Sequence, residues 1–157
     1  MTQFFTQNSD IIIKLVLSMT LGMVIGIERY VAHKTAGMRT YALVAMGSAL
    51  LIIISELMVL KYLPFSNISI NPFQIAAAVI TGMGFLGAGV ILHQESRIIG
   101  ITSASGLWVA ASIGIAVGFG LYDLAIIATI LALFIFIVLW FLEKKIIDRI
   151  SNKFDGK

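Results

Sequence analysis

Apolar residues run almost uninterrupted through most of this chain instead of alternating or marking one face of a helix. One run covers residues 11–28 with Lys14 near its start, and another covers 40–60 with Glu56 as its only charge. Three further segments contain no Asp, Glu, Lys or Arg: 62–92, 98–122 and 124–142. A helix that crosses a hydrocarbon core of about 30 Å needs roughly 20 apolar residues. Each run is therefore long enough to span a membrane.

These runs predict an all-α polytopic membrane protein with five transmembrane helices. The predicted helices cover residues 11–30, 40–61, 73–93, 99–121 and 124–143. Transmembrane β-strands would show about ten residues of alternating polarity. The last run does not alternate, so we reject a barrel.

The composition supports a membrane protein and excludes several kinds of function. Of the 157 residues, 59% are hydrophobic and 12% are charged, whereas soluble domains carry about 25% charged residues. The absence of cysteine excludes disulfides and thiolate chemistry. The net charge of +3 reflects basic residues near span ends, so we expect the lipid bilayer, and no nucleic acid, as a partner.

The basic residues predict the orientation, because cytoplasmic loops are enriched in Lys and Arg. Nine of them fall on one side of a five-span map: Arg29, Lys34, Arg39, Arg97, Lys144, Lys145, Arg149, Lys153 and Lys157. Only Lys14 and Lys61 fall on the other side. We therefore expect the N-terminus outside and the C-terminus in the cytoplasm. The first span is expected to stay attached rather than to be a cleaved signal peptide. Residues 1–143 form the predicted transmembrane domain and 144–157 a basic cytoplasmic tail, with no soluble C-terminal domain.

Small residues predict where the helices meet, because they allow close backbone approach inside a membrane. The candidate packing glycines are Gly22, Gly26, Gly82, Gly84, Gly87, Gly89, Gly106, Gly114 and Gly118. Their distribution predicts a packed centre of spans 1, 3 and 4, with span 5 facing lipid. The third span also matches the dinucleotide fingerprint G-x-G-x-x-G, but no strand precedes it, so we do not assign nucleotide binding. An unwound helix that lines a cavity is the functional alternative for these glycines.

Ionisable and hydroxyl groups at the inner ends of the spans form the candidate functional site, since charges in a membrane are costly. The predicted polar inner site comprises Glu28, Arg29, Arg39, Thr40, Thr102, Ser103 and Ser105. The purely structural alternative is that Glu28 pairs with Arg39 and ties the first two spans together.

The outer face carries a second, smaller set of polar residues, Glu56, Asn71 and Asp123. Asn71-Pro72 is expected to start the third span, because proline suits a first helical turn. The acids are divided between the two faces, so the sequence assigns no metal ligands, no cofactor and no catalytic residues. Mg²⁺ remains a candidate ligand or signal. The chain is not expected to be an enzyme.

Three ordered motifs resemble the MgtC/SapB family of membrane proteins. The first combines Gly22-x-x-x-Gly26-Ile27-Glu28-Arg29 with Ala36-Gly37-Met38-Arg39-Thr40. The second is residues 84–91, GFLGAGVI, and the third is residues 100–108, GITSASGLW. The resemblance covers about residues 11–142. It implies a five-span protein of the bacterial cytoplasmic membrane, linked to magnesium limitation, survival in macrophages and interaction with other membrane proteins.

Two features depart from the family pattern. Many members carry Asp-Pro-x-Arg-x-x-x-Gln before the third span, where this chain has Asn71, Pro72, Gln74 and Ala78. Many also have a soluble cytoplasmic domain after the fifth span, where only about fourteen residues remain here. A function that rests on those charges or on that domain is not expected for this chain.

The resemblance and the candidate site lead to one principal hypothesis and two alternatives. The principal hypothesis is a non-enzymatic membrane protein of magnesium or ion homeostasis that works as a small homo-oligomer, such as a dimer. The first alternative is a regulatory subunit that binds another membrane complex without transporting anything. The second is an ion-conducting carrier or channel with the same inner site on its path.

Overall fold

The computed structural model describes residues 8–62, 71–94 and 97–146. Five of its helices are long and apolar enough to cross a membrane. They are α1 (Ser9–Val31), α2 (Met38–Tyr62), α3 (Pro72–Val90), α4 (Ile101–Gly118) and α5 (Tyr122–Ile146). The predicted all-α architecture with five spans is therefore confirmed. Most of the predicted tail (147–157) and of the outer loop (63–70) lies outside the described residues.

A short hairpin separates α3 from α4, where the sequence predicted longer helices. The strands β1 (Leu92–Gln94) and β2 (Arg97–Ile99) are antiparallel, with Leu92 opposite Ile99. The predicted third span ran to residue 93 and the fourth began at 99, so both predicted ends were wrong by a few residues. Gly100 explains the return into α4. Its φ is +94°, in a region that glycine enters without steric cost, and a Cβ there would collide with the Val90 carbonyl.

The packed centre consists of α1, α2 and α4 rather than the predicted spans 1, 3 and 4. Of the 18 residues of α4, 56% are buried, whereas only 6% of the 18 residues Phe73–Val90 of α3 are buried. A Cβ at Gly22 would lie 2.5 Å from the Tyr41 carbonyl oxygen, and one at Gly114 would overlap the Ala45 carbonyl. Glycines on α1 and α4 therefore admit the α2 backbone from both sides, so α2 is central although it contains a single glycine, Gly47.

The fifth helix packs one narrow face against this centre and leaves the rest exposed. Its buried side chains are Ala125, Thr129, Ala132 and Phe136. Between Ile135 and Leu139 the helix is π-helical. Such a segment widens one turn and changes the direction of the side chains around it. The segment places Phe136 at the end of the bundle that carries the candidate site.

Each end of the bundle is named here by a charged residue. The Arg29 end contains the end of α1, the starts of α2 and α4, the hairpin and the last turns of α5. The Lys14 end contains the starts of α1, α3 and α5 and the ends of α2 and α4.

Candidate functional site at the Arg29 end

A buried arginine, paired with a partly buried carboxylate, occupies the Arg29 end of the bundle. Arg29 is only 3% exposed, and its guanidinium donates through Nε to Glu28 and through Nη2 to Oε1 of the same carboxylate at 2.6 Å. Its Cζ lies 3.8 Å from the centre of the Phe136 ring. A planar guanidinium can satisfy a carboxylate with one edge and stack on an aromatic ring with its face. Arg29 therefore links α1 to α5 while its charge is balanced.

The position of Arg29 in α1 also favours its charge. It lies in the last turn of the helix, where unpaired carbonyl groups attract a cation. Among the described residues, its third nitrogen, Nη1, donates no hydrogen bond to the protein. The two N–H groups of Nη1 are thus available to another acceptor.

Two cavities at this end of the bundle share Lys34 and Thr102, and the smaller one adjoins Arg29. The smaller, of about 240 Å³, is lined by Arg29, Lys34, Thr102, Ile135, Phe136, Leu139, Trp140 and Glu143. The larger, of about 360 Å³, is lined by His33, Lys34, Thr35, Ile99, Gly100, Thr102 and Ser103. Together they form a recess, here called the Arg29 recess. Arg29 and Lys34 line one side of it, and α5 contributes apolar side chains and Glu143.

The structure brings four of the predicted inner-site residues to this recess or its border. Arg29, Thr102 and Ser103 line it, and Glu28 holds Arg29 in place. The start of α4 borders the larger cavity, and Gly100 supplies no side-chain cap there. The first-turn N–H groups of a helix have no partner within the helix, so this start adds positive potential to the recess.

The other three predicted residues lie apart from the recess. Arg39 and Thr40 are exposed on α2. Ser105 is exposed, and its hydroxyl donates to the Ile101 carbonyl at 3.0 Å. The structural alternative named Arg39 as the partner of Glu28. That partner was wrong, because Glu28 pairs with the adjacent Arg29.

Several residues of this region were not identified from the sequence. Tyr41 is fully buried and donates through its hydroxyl to the Ser103 carbonyl at 3.2 Å, which joins α2 to α4. Phe136, Trp140 and Glu143 come from the end of α5. An aromatic residue within an apolar run does not show which way its side chain faces. Glu143, three residues after Trp140 at the end of the last span, could have indicated this surface.

The Lys14 end holds a separate polar network that connects three helices. The Lys14 ammonium lies 3.5 Å from carboxylate oxygens of both Asp10 and Glu56. The Tyr122 hydroxyl donates to Asp10 at 3.4 Å. Glu56 was predicted at this face, but Lys14 was not identified as its partner. Lys14 therefore connects α1 to α2, and Tyr122 adds α5.

The remaining predicted outer residues have local positions. The Asn71 side chain accepts a hydrogen bond from the Phe73 N–H at 2.9 Å, and Pro72 occupies the first turn of α3. The predicted start of the third span is thus confirmed. Asp123 is exposed in the first turn of α5, where a negative charge suits the helix N-terminus.

The predicted packing glycines divide into two groups. A Cβ at Gly22, Gly26, Gly106, Gly114 or Gly118 would crowd a neighbouring helix. A Cβ at Gly82, Gly84 or Gly89 would meet nothing within 4 Å, and one at Gly87 would reach only the Ala104 Cβ at 3.6 Å. The α3 glycines therefore contribute little to packing within one chain.

An apolar groove lies between α2 and α3. Gly47, Ser48, Ala78, Gly82 and Met83 are among the residues that line its volume of about 620 Å³. Within residues 8–62, 71–94 and 97–146, no group of three or more His, Cys, Asp and Glu side chains is placed to hold a metal ion.

The geometry defines a multi-pass helical membrane protein with a buried arginine, paired with a carboxylate, at one end of its bundle. Residues 15–145 match the model of the MgtC family. The chain belongs to the MgtC family.

Curated relatives agree with this assignment. The chain is 40% identical over 128 residues to the candidate magnesium transporter YhiD of Escherichia coli (strain K12), covering 82% of this chain and 60% of that protein. It is 35% identical over 149 residues to protein SapB of Bacillus subtilis (strain 168), covering 93% and 64%. Protein MgtC of Salmonella typhimurium (strain 14028s) is 39% identical over 122 residues, covering 78% and 49%.

The chain thus spans between about half and two thirds of the length of these relatives. No solved structure gives a significant match.

Proposed function

We propose that this chain acts in magnesium or ion homeostasis as a non-enzymatic protein of the bacterial cytoplasmic membrane, with the Arg29 end facing the cytoplasm. The relatives support the magnesium link, since one of them is described as a candidate magnesium transporter. The Lys and Arg distribution supports the orientation. The observation that carries the choice of site is the buried Arg29 with its partner Glu28, because a buried charge inside a membrane protein is costly to keep.

The character of the Arg29 recess favours a regulatory role over conduction of Mg²⁺. Its walls carry the Arg29 guanidinium and the Lys34 ammonium, and Glu28 is already engaged by Arg29. Mg²⁺ binds oxygen ligands, usually one or two carboxylates together with waters. Glu143 is the one carboxylate among the lining residues, and together with the two cations it leaves the recess without a net negative charge to attract a divalent cation. We therefore place Mg²⁺ outside this recess and assign the recess to control of the protein's state.

Two assays on the same variants test the role and the mode of action. In a strain that lacks the native gene, the wild-type chain should support growth at limiting Mg²⁺, and Glu28→Gln should support it less at equal protein level. In liposomes, the purified chain should give no Mg²⁺ flux above empty vesicles. Asp123→Asn is the control, because it changes an exposed carboxylate at the Lys14 end. Unchanged growth with Glu28→Gln would refute the site, and flux abolished by Glu28→Gln would establish conduction instead.

We also propose that the chain forms a homo-oligomer through α3. The support is the exposure of this helix together with the open space at Gly82, which lines the groove between α2 and α3. Inside lipid, small residues favour helix contacts because backbones approach closely. A Cβ at Gly82 would meet nothing within 4 Å among the described residues.

Cross-linking in native membranes tests this proposal. Gly82→Leu should abolish the cross-linked oligomer if the groove between α2 and α3 is the interface, because Gly82 lines that groove. Gly84→Leu does not change a groove-lining residue and should leave the oligomer intact. An oligomer that persists in both variants would exclude this face.

A further inference from the structure

We propose that the Arg29 recess binds the headgroup of an amine-bearing phospholipid, such as phosphatidylethanolamine. The recess combines polar groups with an apolar wall. Lys34, Thr102 and the Nη1 group of Arg29 supply donors, whereas Ile135, Phe136 and Leu139 supply apolar surface. A phospholipid likewise has a polar headgroup directly beside apolar acyl chains. Basic pockets between transmembrane helices bind the phosphates of anionic lipid headgroups, so the cationic groups of this recess suit the phosphate of a phospholipid.

The donors can hold a phosphate. Arg29 offers Nη1 because Glu28 occupies its Nε–Nη2 edge. Lys34 and Thr102 line both cavities, and Gly100 and Ser103 at the start of α4 line the larger one. Charged donors form the strongest hydrogen bonds to phosphate oxygens, and a helix start favours an anion. The phosphate site thus has contributions from α1, from the link between α1 and α2, and from α4.

The balance of charges favours a zwitterionic headgroup over an anionic one. Glu28 neutralises Arg29, which leaves Lys34 as the unbalanced cation and Glu143 as the unbalanced anion among the lining residues. Lys144 does not line either cavity. Its ammonium lies 5.7 Å from the centre of the Trp140 ring. Lys34 therefore matches the phosphate, and Glu143 matches an ammonium group on the same headgroup.

The position of the recess favours a lipid over a soluble phosphate. Leu139 and Trp140 are about half exposed, at 49% and 51%, and both border the smaller cavity. They lie on α5, whose outward face is apolar over most of its length. An acyl chain can follow this face away from the headgroup, whereas a free phosphate ester would gain nothing from it.

The proposal is tested by lipid binding to the purified chain in detergent, measured by native mass spectrometry. The probes are phosphatidylethanolamine, phosphatidylglycerol, glycerophosphoethanolamine and inorganic phosphate. We expect phosphatidylethanolamine to bind most tightly. Lys34→Gln should weaken it about tenfold, as expected for one charged hydrogen bond. Glu143→Gln should reduce the preference over phosphatidylglycerol. Lys61→Gln at the Lys14 end is the matched control and should change nothing.

Each contrary result overturns a stated part of the proposal. Equal binding by glycerophosphoethanolamine would replace the lipid with a soluble ligand. If phosphatidylglycerol bound the wild-type chain as tightly as phosphatidylethanolamine, Glu143 would not select an ammonium-bearing headgroup. If Lys34→Gln left the binding of phosphatidylethanolamine unchanged, the proposed binding site would be wrong. The inference uses the same recess as the proposed function, but this binding assay involves neither Mg²⁺ nor growth, so either proposal can fail while the other stands.

Discussion

At the scale of single residues, burial separates side chains that looked equivalent in the sequence. Tyr30 and Tyr41 both lie close to span ends, where amphipathic rings commonly meet headgroups. Tyr30 is 72% exposed, whereas Tyr41 is fully buried and binds the Ser103 carbonyl. The difference arises from Gly106, since a Cβ there would collide with the Tyr41 hydroxyl. One glycine on α4 thus makes space for an aromatic side chain of α2.

The same logic gives a stability prediction for the glycines. Gly114→Ala places a Cβ against the Ala45 carbonyl and the Ser48 side chain, so α2 and α4 must separate. We expect a loss of about 1–3 kcal/mol in unfolding free energy, seen as a lower thermal midpoint in detergent. Gly84→Ala is the control: its Cβ meets open space, and alanine is preferred over glycine in a helix by roughly 0.5–1 kcal/mol. Similar shifts in both variants would contradict the close approach of α2 and α4.

At the scale of elements, the sequence predicted the helices well but not their neighbours. Length and apolarity alone define a span, so five were identified. The hairpin between α3 and α4 was missed because its residues continue the apolar pattern on either side of a few polar ones. The packed centre was misjudged because glycine content was equated with burial. A Cβ at Gly82, Gly84 or Gly89 would meet nothing within 4 Å in the part of the chain that the structure describes, and only the fold shows which glycines a neighbouring helix approaches.

The sequence predicted only part of the candidate site. Glu28, Arg29, Thr102 and Ser103 were expected together because helix ends on one side of a membrane share a level. The contact between Phe136 and Arg29 depends on a π-helical turn in α5. The periodicity of an apolar run does not predict such a turn. Arg39 was expected at the site from its sequence position, but α2 turns it to the surface.

The Lys14 network gives a prediction about how α1 and α2 are held together. Lys14→Met leaves the Asp10 and Glu56 carboxylates without the ammonium that lies 3.5 Å from each. The thermal midpoint should fall. Glu56→Gln should be less harmful in the Lys14→Met background than alone, with a coupling of about 0.5–1 kcal/mol. Lys61→Met is the control for loss of one cation at the same end. Strictly additive effects of the two substitutions would mean that Lys14 and Glu56 do not interact.

At the scale of the whole molecule, the two ends of the bundle differ in chemistry. The Lys14 end is closed by an ion network among α1, α2 and α5. The Arg29 end contains a recess lined by cations, hydroxyl groups and apolar side chains. Because only the Arg29 end contains this recess, the orientation of the chain determines which side of the membrane the recess faces.

The orientation is directly measurable because the chain contains no cysteine. Thr35 lies exposed between α1 and α2 at the Arg29 end, and Lys61 is exposed at the end of α2 on the opposite side. The basic residues around the first link predict that it stays in the cytoplasm. In spheroplasts, a membrane-impermeant maleimide should therefore label Lys61→Cys at once and Thr35→Cys only after the membrane is permeabilised. The reverse pattern would place the Arg29 recess outside the cell, and a lipid or signal bound there would then come from the outer leaflet.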